Sequence, residues 1–167
     1  MKITETEFIV HKAKNKDPDA FSELIQIYKK DMYQVAYSIL MNNEDVADAV
    51  QDTILSCWEK INKLRQDQYF KAWMIRILIN KCNDICRQKK REMPSEILEE
   101  QVLEDAANIE WEEALQLLDE KYRVVVVLYY KEEYSIKEIA KLLHLPGNTV
   151  STRLRRAREK LKNYYEL

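Results

Sequence analysis

The sequence predicts an all-α protein built from two small helical domains that are joined by an acidic linker. The 167-residue chain contains one glycine and three prolines, too few turn residues for an antiparallel sheet. Apolar residues recur at helical spacing before residue 92 and after residue 110. The segment between them is acidic, contains Pro94 and has no sustained period. We therefore expect domains at residues 1–91 and 111–167 and a linker at 92–110.

Composition and charge exclude several classes of protein. The formal net charge is −2, so the chain is not a uniformly basic nucleic-acid coat. It has no apolar run near the length of a membrane span and no signal-peptide core at its N-terminus, which predicts a cytoplasmic protein. Cys57, Cys82 and Cys86 form no even disulfide framework. A metal or redox pair at Cys82 and Cys86 is the alternative to buried thiols, but no histidine lies near them, and we expect neither metal nor cofactor.

The first half reads as consecutive helices. Thr4 to Lys16 suits a short opening helix, and Asp17-Pro18 is a start signal for a long one that keeps its period to Leu40. After the Asn42-Asn43 turn, the next helix carries a row of carboxylates opposite its apolar side. These are Asp45, Asp48 and Asp52, with Gln51 beside them. A solvated face is the usual explanation of such a row, and acids on one exposed helix lack a pocket that would suit them to catalysis.

The helix that follows combines aromatic and basic side chains. Phe70 and Trp73 lie near its start, and Arg87, Lys89, Lys90 and Arg91 lie at its end. Rings that stack on bases and cations that hold phosphates suit single-stranded nucleic acid. The alternative is that the rings are packing residues and that the basic end is solvated and suits the helix dipole.

The second half begins with a helix over Trp111 to Leu118. The run from Asp119 to Tyr130 contains four consecutive valines, which favour a strand. Because its neighbours are helical and no partner strand is visible, we predict a buried helix there.

The segment from Ser135 to Lys162 predicts a helix-turn-helix. Ser135 and Glu138 make a capping box, and Pro146 suits the first position of the second helix. That helix has a buried stripe at Val150, Leu154, Ala157 and Leu161. Hydroxyls at its start and arginines along its outer face suit a DNA major groove, where bases and phosphates are contacted together. A solvated amphipathic helix is the alternative.

This segment resembles region 4.2 of the sigma-70 family, in its extracytoplasmic-function (ECF) group. The matches are Glu138-Ile139-Ala140, Pro146, Thr149-Val150, Arg156-Ala157-Arg158 and Leu161. The sequence departs from the family at His144, where glycine is usual, and at Gly147-Asn148, since glycine usually stands directly before the threonine. The resemblance implies that this helix reads the −35 promoter element, through Asn148, Thr149, Ser151, Thr152, Arg153, Arg155, Arg156 and Arg158.

Two further motifs resemble the same family in the family's order. The aspartate helix resembles region 2.2, which implies that Asp45, Asp48, Gln51 and Asp52 bind the β′ clamp helices of RNA polymerase. The next helix resembles regions 2.3 and 2.4, which open the −10 element. The residues that this resemblance assigns to −10 DNA are Phe70, Trp73, Arg76, Ile77, Asn80, Asp84 and Arg87.

The resemblance implies a non-enzymatic ECF sigma factor with promoter DNA and core RNA polymerase (β′ clamp helices and β flap) as partners. It also implies an anti-sigma factor, which could hold the protein at the membrane, and no stable homo-oligomer. Two rivals are a dimeric helix-turn-helix repressor or activator that binds a palindrome alone and an enzyme acting on nucleic acid. The enzyme would need a carboxylate or Cys/His cluster from separate segments, and the sequence displays none.

Overall fold

The computed structural model describes residues 2–92 and 109–165, and this described part of the chain is helical without strands. The predicted all-α class is therefore confirmed, whereas most of the predicted linker, residues 93–108, lies outside the described residues. Two short 3₁₀ turns, Ile61–Lys63 and Asp67–Tyr69, precede the fourth helix. The helices are α1 (Glu5–Lys14), α2 (Pro18–Leu40), α3 (Asn43–Lys60), α4 (Phe70–Glu92), α5 (Ile109–Gln116), α6 (Glu120–Val126), α7 (Ile136–Leu143) and α8 (Gly147–Tyr165).

The helices begin where the sequence places capping residues. The Asp17 carboxylate accepts from the backbone N–H groups of Asp19 and Ala20 at the start of α2. At α7, the Ser135 hydroxyl accepts from the Glu138 N–H, and the Glu138 carboxylate accepts from the Ser135 N–H at 2.7 Å. Both pairs satisfy backbone donors that the first helical turn cannot satisfy itself. The predicted starts of α2 and α7 are thus confirmed.

In the first half, α2 packs against α1, α3 and α4. Its buried face includes Leu24, Met32 and Val35, which have no exposed surface. Apolar side chains at helical spacing on α3 and α4 close the same core. Burial of these faces is the main term that holds the four helices together.

The valine run is helical, as predicted, but its end is not an α-helix. Val124 and Val125 are buried in α6, and the chain then continues as a π-helical turn over Val127–Lys131. A π-turn adds one residue to the helical repeat and changes which side chains face outwards. It places Tyr129 and Tyr130 edge to face, with ring centroids 5.0 Å apart, beside α8.

The two halves pack on each other and share one apolar core. Arg123 in α6 donates from Nε to the Ser38 carbonyl in α2 at 2.9 Å. Lys71 in α4 forms an ion pair of 3.0 Å with Glu132, which follows the π-turn. The boundaries 1–91 and 111–167 as independent domains stay a prediction.

Candidate nucleic-acid and partner interfaces

The start of α8 and the start of α6 enclose a cationic pocket of about 330 Å³. We call it the α8 pocket. Five of the eight side chains assigned to −35 DNA line it, and α6 adds two that were not predicted. The lining residues are Lys121, Tyr122, Asn148, Thr149, Thr152, Arg153 and Arg156. Guanidinium, ammonium and hydroxyl donors around one concavity suit the phosphates and base edges of duplex DNA.

Tyr122 organises the cations of the α8 pocket. Lys121 and Lys160 lie over its ring, with Nζ 5.1 and 4.7 Å from the centroid. A hydrogen bond from Arg156, the largest cause, lowers the pKa of the Tyr122 hydroxyl. These contacts hold flexible side chains in place before a ligand arrives, which reduces the entropy lost on binding.

Arg158 lies on the other flank of α8. At 100° per residue, it is about 140° around the helix from Arg153 and about 160° from Arg156. Its Nε donates to the Tyr130 hydroxyl at 2.6 Å, and its guanidinium lies 5.7 Å from the ring centroids of both Tyr129 and Tyr130. In this arrangement Arg158 ties α8 to the π-turn rather than lining the pocket.

The remaining residues assigned to −35 DNA are solvent-exposed outside the pocket. Arg155 pairs with Glu159 one turn later at 3.3 Å, and Ser151 is exposed on the Arg158 flank. Glu159 therefore offsets one of the arginines on the outer face.

Six of the seven predicted −10 residues of α4, all except Phe70, form a continuous line that we call the α4 stripe. Arg76, Asn80, Asp84 and Arg87 are exposed along it, and Trp73 and Ile77 are partly buried. Asp84 and Arg87 form an ion pair within the stripe. The face presents a ring, amides and cations to solvent, which is a combination that binds single-stranded bases and phosphates.

Phe70, which was also assigned to −10 DNA, is 1% exposed. Its ring packs between Tyr28 and Trp73, with both centroid distances 5.8 Å. In this arrangement Phe70 packs against the buried side of Trp73, and its own ring is not accessible to solvent.

The predicted polymerase-binding residues lie on one face of α3, which we call the acidic face. Asp48, Gln51 and Asp52 are exposed, whereas Asp45 is partly covered and forms an ion pair with Lys89 of α4. With α4 they line a groove of about 400 Å³. Because Lys89 neutralises Asp45, the carboxylates open to a partner are Asp48 and Asp52.

Two sequence profiles match this chain along most of its described length. The profile of sigma-70 region 2 matches residues 24–92, and that of sigma-70 region 4 matches residues 109–161. The ECF RNA polymerase sigma factor SigW of Bacillus subtilis is 31% identical over 173 aligned residues, which cover 92% of each chain. The chain belongs to the sigma-70 family, in its ECF group. Sigma factors of this family are non-enzymatic initiation factors that bind core RNA polymerase and direct it to promoters.

Other relatives and solved structures agree with this assignment. The ECF sigma factor SigM of Mycobacterium tuberculosis is 31% identical over 151 residues, 87% of this chain and 76% of the relative. The structure of CnrH in complex with the cytosolic domain of CnrY matches this sigma factor with a TM-score of 0.71 and 29% identity, over 96% of this chain and 97% of that one. The Bartonella quintana sigma factor RpoE, solved with the anti-sigma factor NepR, shares the fold with a TM-score of 0.77 at 22% identity, over 88% of this chain and 97% of that one.

Sequence reasoning missed two exposed apolar side chains beside the sigma factor's predicted sites. Leu55 is 61% exposed and lies one turn after Gln51 and Asp52, at the C-terminal end of the acidic face. Tyr69 is 57% exposed, one turn before Trp73, at the head of the α4 stripe. Both positions follow from helical spacing, so a search for apolar residues within the polar faces would have found them.

The three cysteines are free thiols, of which Cys57 and Cys82 are buried and Cys86 is partly buried. Burial raises the pKa of the Cys57 and Cys82 thiols to about 12 and raises that of Cys86 as well. Within residues 2–92 and 109–165, no three His, Cys, Asp or Glu side chains are arranged to hold a metal ion. Nor does any helix in these two ranges combine the length and apolarity that crossing a membrane requires.

Proposed function

We propose that this sigma factor docks on core RNA polymerase through its acidic face, reads the −35 element with the α8 pocket and opens the −10 element with the α4 stripe. The observation that carries the proposal is that three surfaces of different chemistry lie exposed on separate helices of one sigma-70 chain.

Docking through α3 is supported by the chemistry of the acidic face. Asp48 and Asp52 present negative charge, and Leu55 adds an exposed apolar side chain at the end of the face. Protein interfaces usually combine an apolar anchor with charged groups beside it. The partner that fits it is a basic helical surface with an apolar cleft, which agrees with the β′ clamp helices that the resemblance implies.

Reading of the −35 element falls to the exposed side of the α8 pocket. Arg153 and Arg156 with Thr149 and Thr152 contact base edges and nearby phosphates, and Lys121 adds a phosphate contact from α6. On the α4 stripe, Trp73 with Tyr69 supplies stacking surfaces and Arg76 and Arg87 supply cations. Stacking offsets part of the few kcal/mol that unpairing a base costs.

Two further expectations complete the proposal. CnrH and RpoE were solved with CnrY and NepR, and we propose a comparable anti-sigma factor for this chain. We also propose that it acts in the cytoplasm as a monomer, where core polymerase and promoter DNA are found.

The test is run-off transcription with purified core polymerase on a library of genomic fragments. The proposal predicts transcripts whose start sites share two spaced elements, and weak DNA binding by the free protein. Asp48→Ala with Asp52→Ala should reduce core binding, and Arg153→Ala should weaken −35 recognition while core binding is kept. Binding of a palindrome as a dimer without core would instead identify a repressor.

A further inference from the structure

The hydroxyl group of Thr152 on α8 already uses its hydrogen inside the helix. Thr152 Oγ1 donates to the Asn148 carbonyl, one turn earlier, at 2.8 Å. A helical threonine forms such a bond readily, because one of its preferred rotamers places the hydroxyl beside that carbonyl. A hydroxyl has a single hydrogen to donate and lone pairs that accept. While the bond to Asn148 is kept, Thr152 can therefore only accept a hydrogen bond from a ligand.

The other hydroxyl groups at the start of α8 are not restricted in this way. Thr149 and Ser151 make no side-chain hydrogen bond within the part of the chain that the structure describes, so each hydroxyl can either donate or accept. The lysine and arginine side chains of the α8 pocket can only donate. Thr152 therefore supplies the pocket with a group of the opposite hydrogen-bonding sense.

Thr152 lies where a recognition helix meets the edges of bases. It stands in the second turn of α8, is partly buried and lines the α8 pocket. Asn148, Thr152 and Arg156 follow one another at intervals of four residues, so their side chains lie along one side of the helix. In helix-turn-helix proteins the N-terminal part of the second helix contacts base edges in the major groove. The accepting group of Thr152 is thus placed to meet a base.

The bases of the major groove differ in the hydrogen-bonding group that they offer to such an acceptor. Adenine and cytosine present an amino group that donates, whereas guanine and thymine present a keto oxygen that accepts. Thr152 can accept from an amino group and keep its bond to Asn148. It could donate to a keto oxygen only by giving up that bond. The loss of one neutral hydrogen bond corresponds to roughly a threefold to tenfold difference in affinity.

We propose that Thr152 is a specificity residue that selects an amino base, adenine or cytosine, at one position on one strand of the −35 element. The Asn148 carbonyl acts as the positioning group, because it fixes the direction in which the Thr152 hydroxyl hydrogen points. This inference rests on the proposed function, since it assumes that α8 reads duplex DNA. It extends that function by assigning a class of base to a single side chain.

Transcription of a promoter library that is randomised over the −35 element, by core polymerase with the full-length sigma factor, tests the inference. Thr152→Val replaces the hydroxyl by a methyl group of similar size, and the position at which it changes the selected base is the one that Thr152 contacts. At that position the parent should enrich adenine or cytosine over guanine or thymine by roughly threefold to tenfold. The valine variant should lose this preference and favour thymine, whose C5-methyl group offers an apolar contact. Thr152→Ser keeps the hydroxyl and should retain the preference.

Thr149→Val is the matched comparison, because it removes a hydroxyl that has no bond to the helix backbone. It should leave the amino preference at the Thr152 position unchanged. Circular dichroism checks each variant, and Thr152→Ala replaces the valine variant if that protein loses helix.

Four results would overturn the inference. They are a parent that selects guanine or thymine at this position, a Thr152→Val protein with unchanged selection at every position, a Thr152→Ser protein that behaves like it, and a Thr149→Val protein that loses the same preference. Each of them leaves the proposed function intact, because the parent still selects a −35 sequence. A parent that selects no −35 sequence would overturn the proposed function and this inference together.

Discussion

At the scale of single residues, His144 adopts a left-handed backbone conformation that glycine adopts more easily. It ends α7 in the left-handed conformation, with φ 56° and ψ 45°, where the ECF pattern has glycine. A side chain costs about 1 kcal/mol in this region because its Cβ crowds the next carbonyl. The glycine that the chain does contain, Gly147, has no positive φ, and a methyl group placed on its Cα would meet nothing within 4 Å. The turn therefore carries its glycine where the backbone does not need it.

His144→Gly should raise the free energy of unfolding by about 0.5–1 kcal/mol, because glycine adopts the left-handed conformation without a steric penalty. Thermal or urea unfolding followed by circular dichroism measures the change. Gly147→Ala is the companion variant, and it should be neutral or stabilising since space for its methyl group is open. A lower melting temperature for His144→Gly would mean that the histidine side chain makes a contact of greater value than the strain.

Arg158→Ala should lower stability by about 1 kcal/mol, because it removes a charge-assisted hydrogen bond and a cation–π contact that tie α8 to the π-turn. Arg155→Ala is the matched control, since its pair with Glu159 is exposed and worth little. Chemical unfolding of both variants makes the comparison. If the Arg158→Ala and Arg155→Ala proteins are equally stable and lose −35 binding equally, Arg158 contacts DNA directly.

At the scale of elements, α3 combines charge and apolar surface on one outward face. Leu55→Ala should weaken binding to core polymerase by roughly tenfold and leave stability unchanged, because the leucine is exposed in the free protein and anchors the interface in the complex. Ile27→Ala, an exposed apolar residue on α2, is the control and should have no effect. The affinity of each variant for labelled core polymerase is the measurement. Equal effects of the two substitutions would contradict the assignment of α3.

The elements differ in how far the sequence alone predicts them. Local signals at Asp17 and Ser135 set the starts of α2 and α7, because caps act within four residues. The π-turn after Val126 carries no such signal, since it depends on how Tyr129 and Tyr130 pack against α8. Family resemblance pointed to Phe70 as a DNA contact, yet its burial is set by Tyr28 and Trp73 from other turns of the fold. The exposed or buried state of one ring is a property of tertiary packing.

At the scale of the whole molecule, the sequence predicted two units but not the contact between them. The acidic break in periodicity is local and visible, whereas Lys71 and Glu132 are remote in the chain and leave no pattern. The pKa of Glu132 is raised by burial first and by Asp31, and Lys71 opposes the shift. The pKa of the neighbouring Tyr134 hydroxyl is raised as well, by burial first and then by the negative charge of nearby groups. These groups are Glu132, Asp31, Glu138 and Tyr28.

The free energy of unfolding should depend on pH through Glu132. Because burial in the folded chain raises the pKa of Glu132, the folded chain binds this proton more tightly than the unfolded chain does. The extra stability is therefore complete below the ordinary pKa of a glutamate and is lost as the pH rises through the raised value. Thermal unfolding should accordingly show a falling melting temperature as the pH increases through this window. Glu132→Gln should remove that dependence, and an unchanged slope in this variant would assign the titration to another group.

The burial of the thiols has a consequence for how signals reach this protein. Because burial raises the pKa of Cys57 and Cys82 to about 12, both thiols stay protonated at neutral pH, and it is the thiolate that reacts with peroxide or a disulfide. The raised pKa of Cys86 works in the same direction. The cysteines of this chain therefore make poor sensors of oxidants.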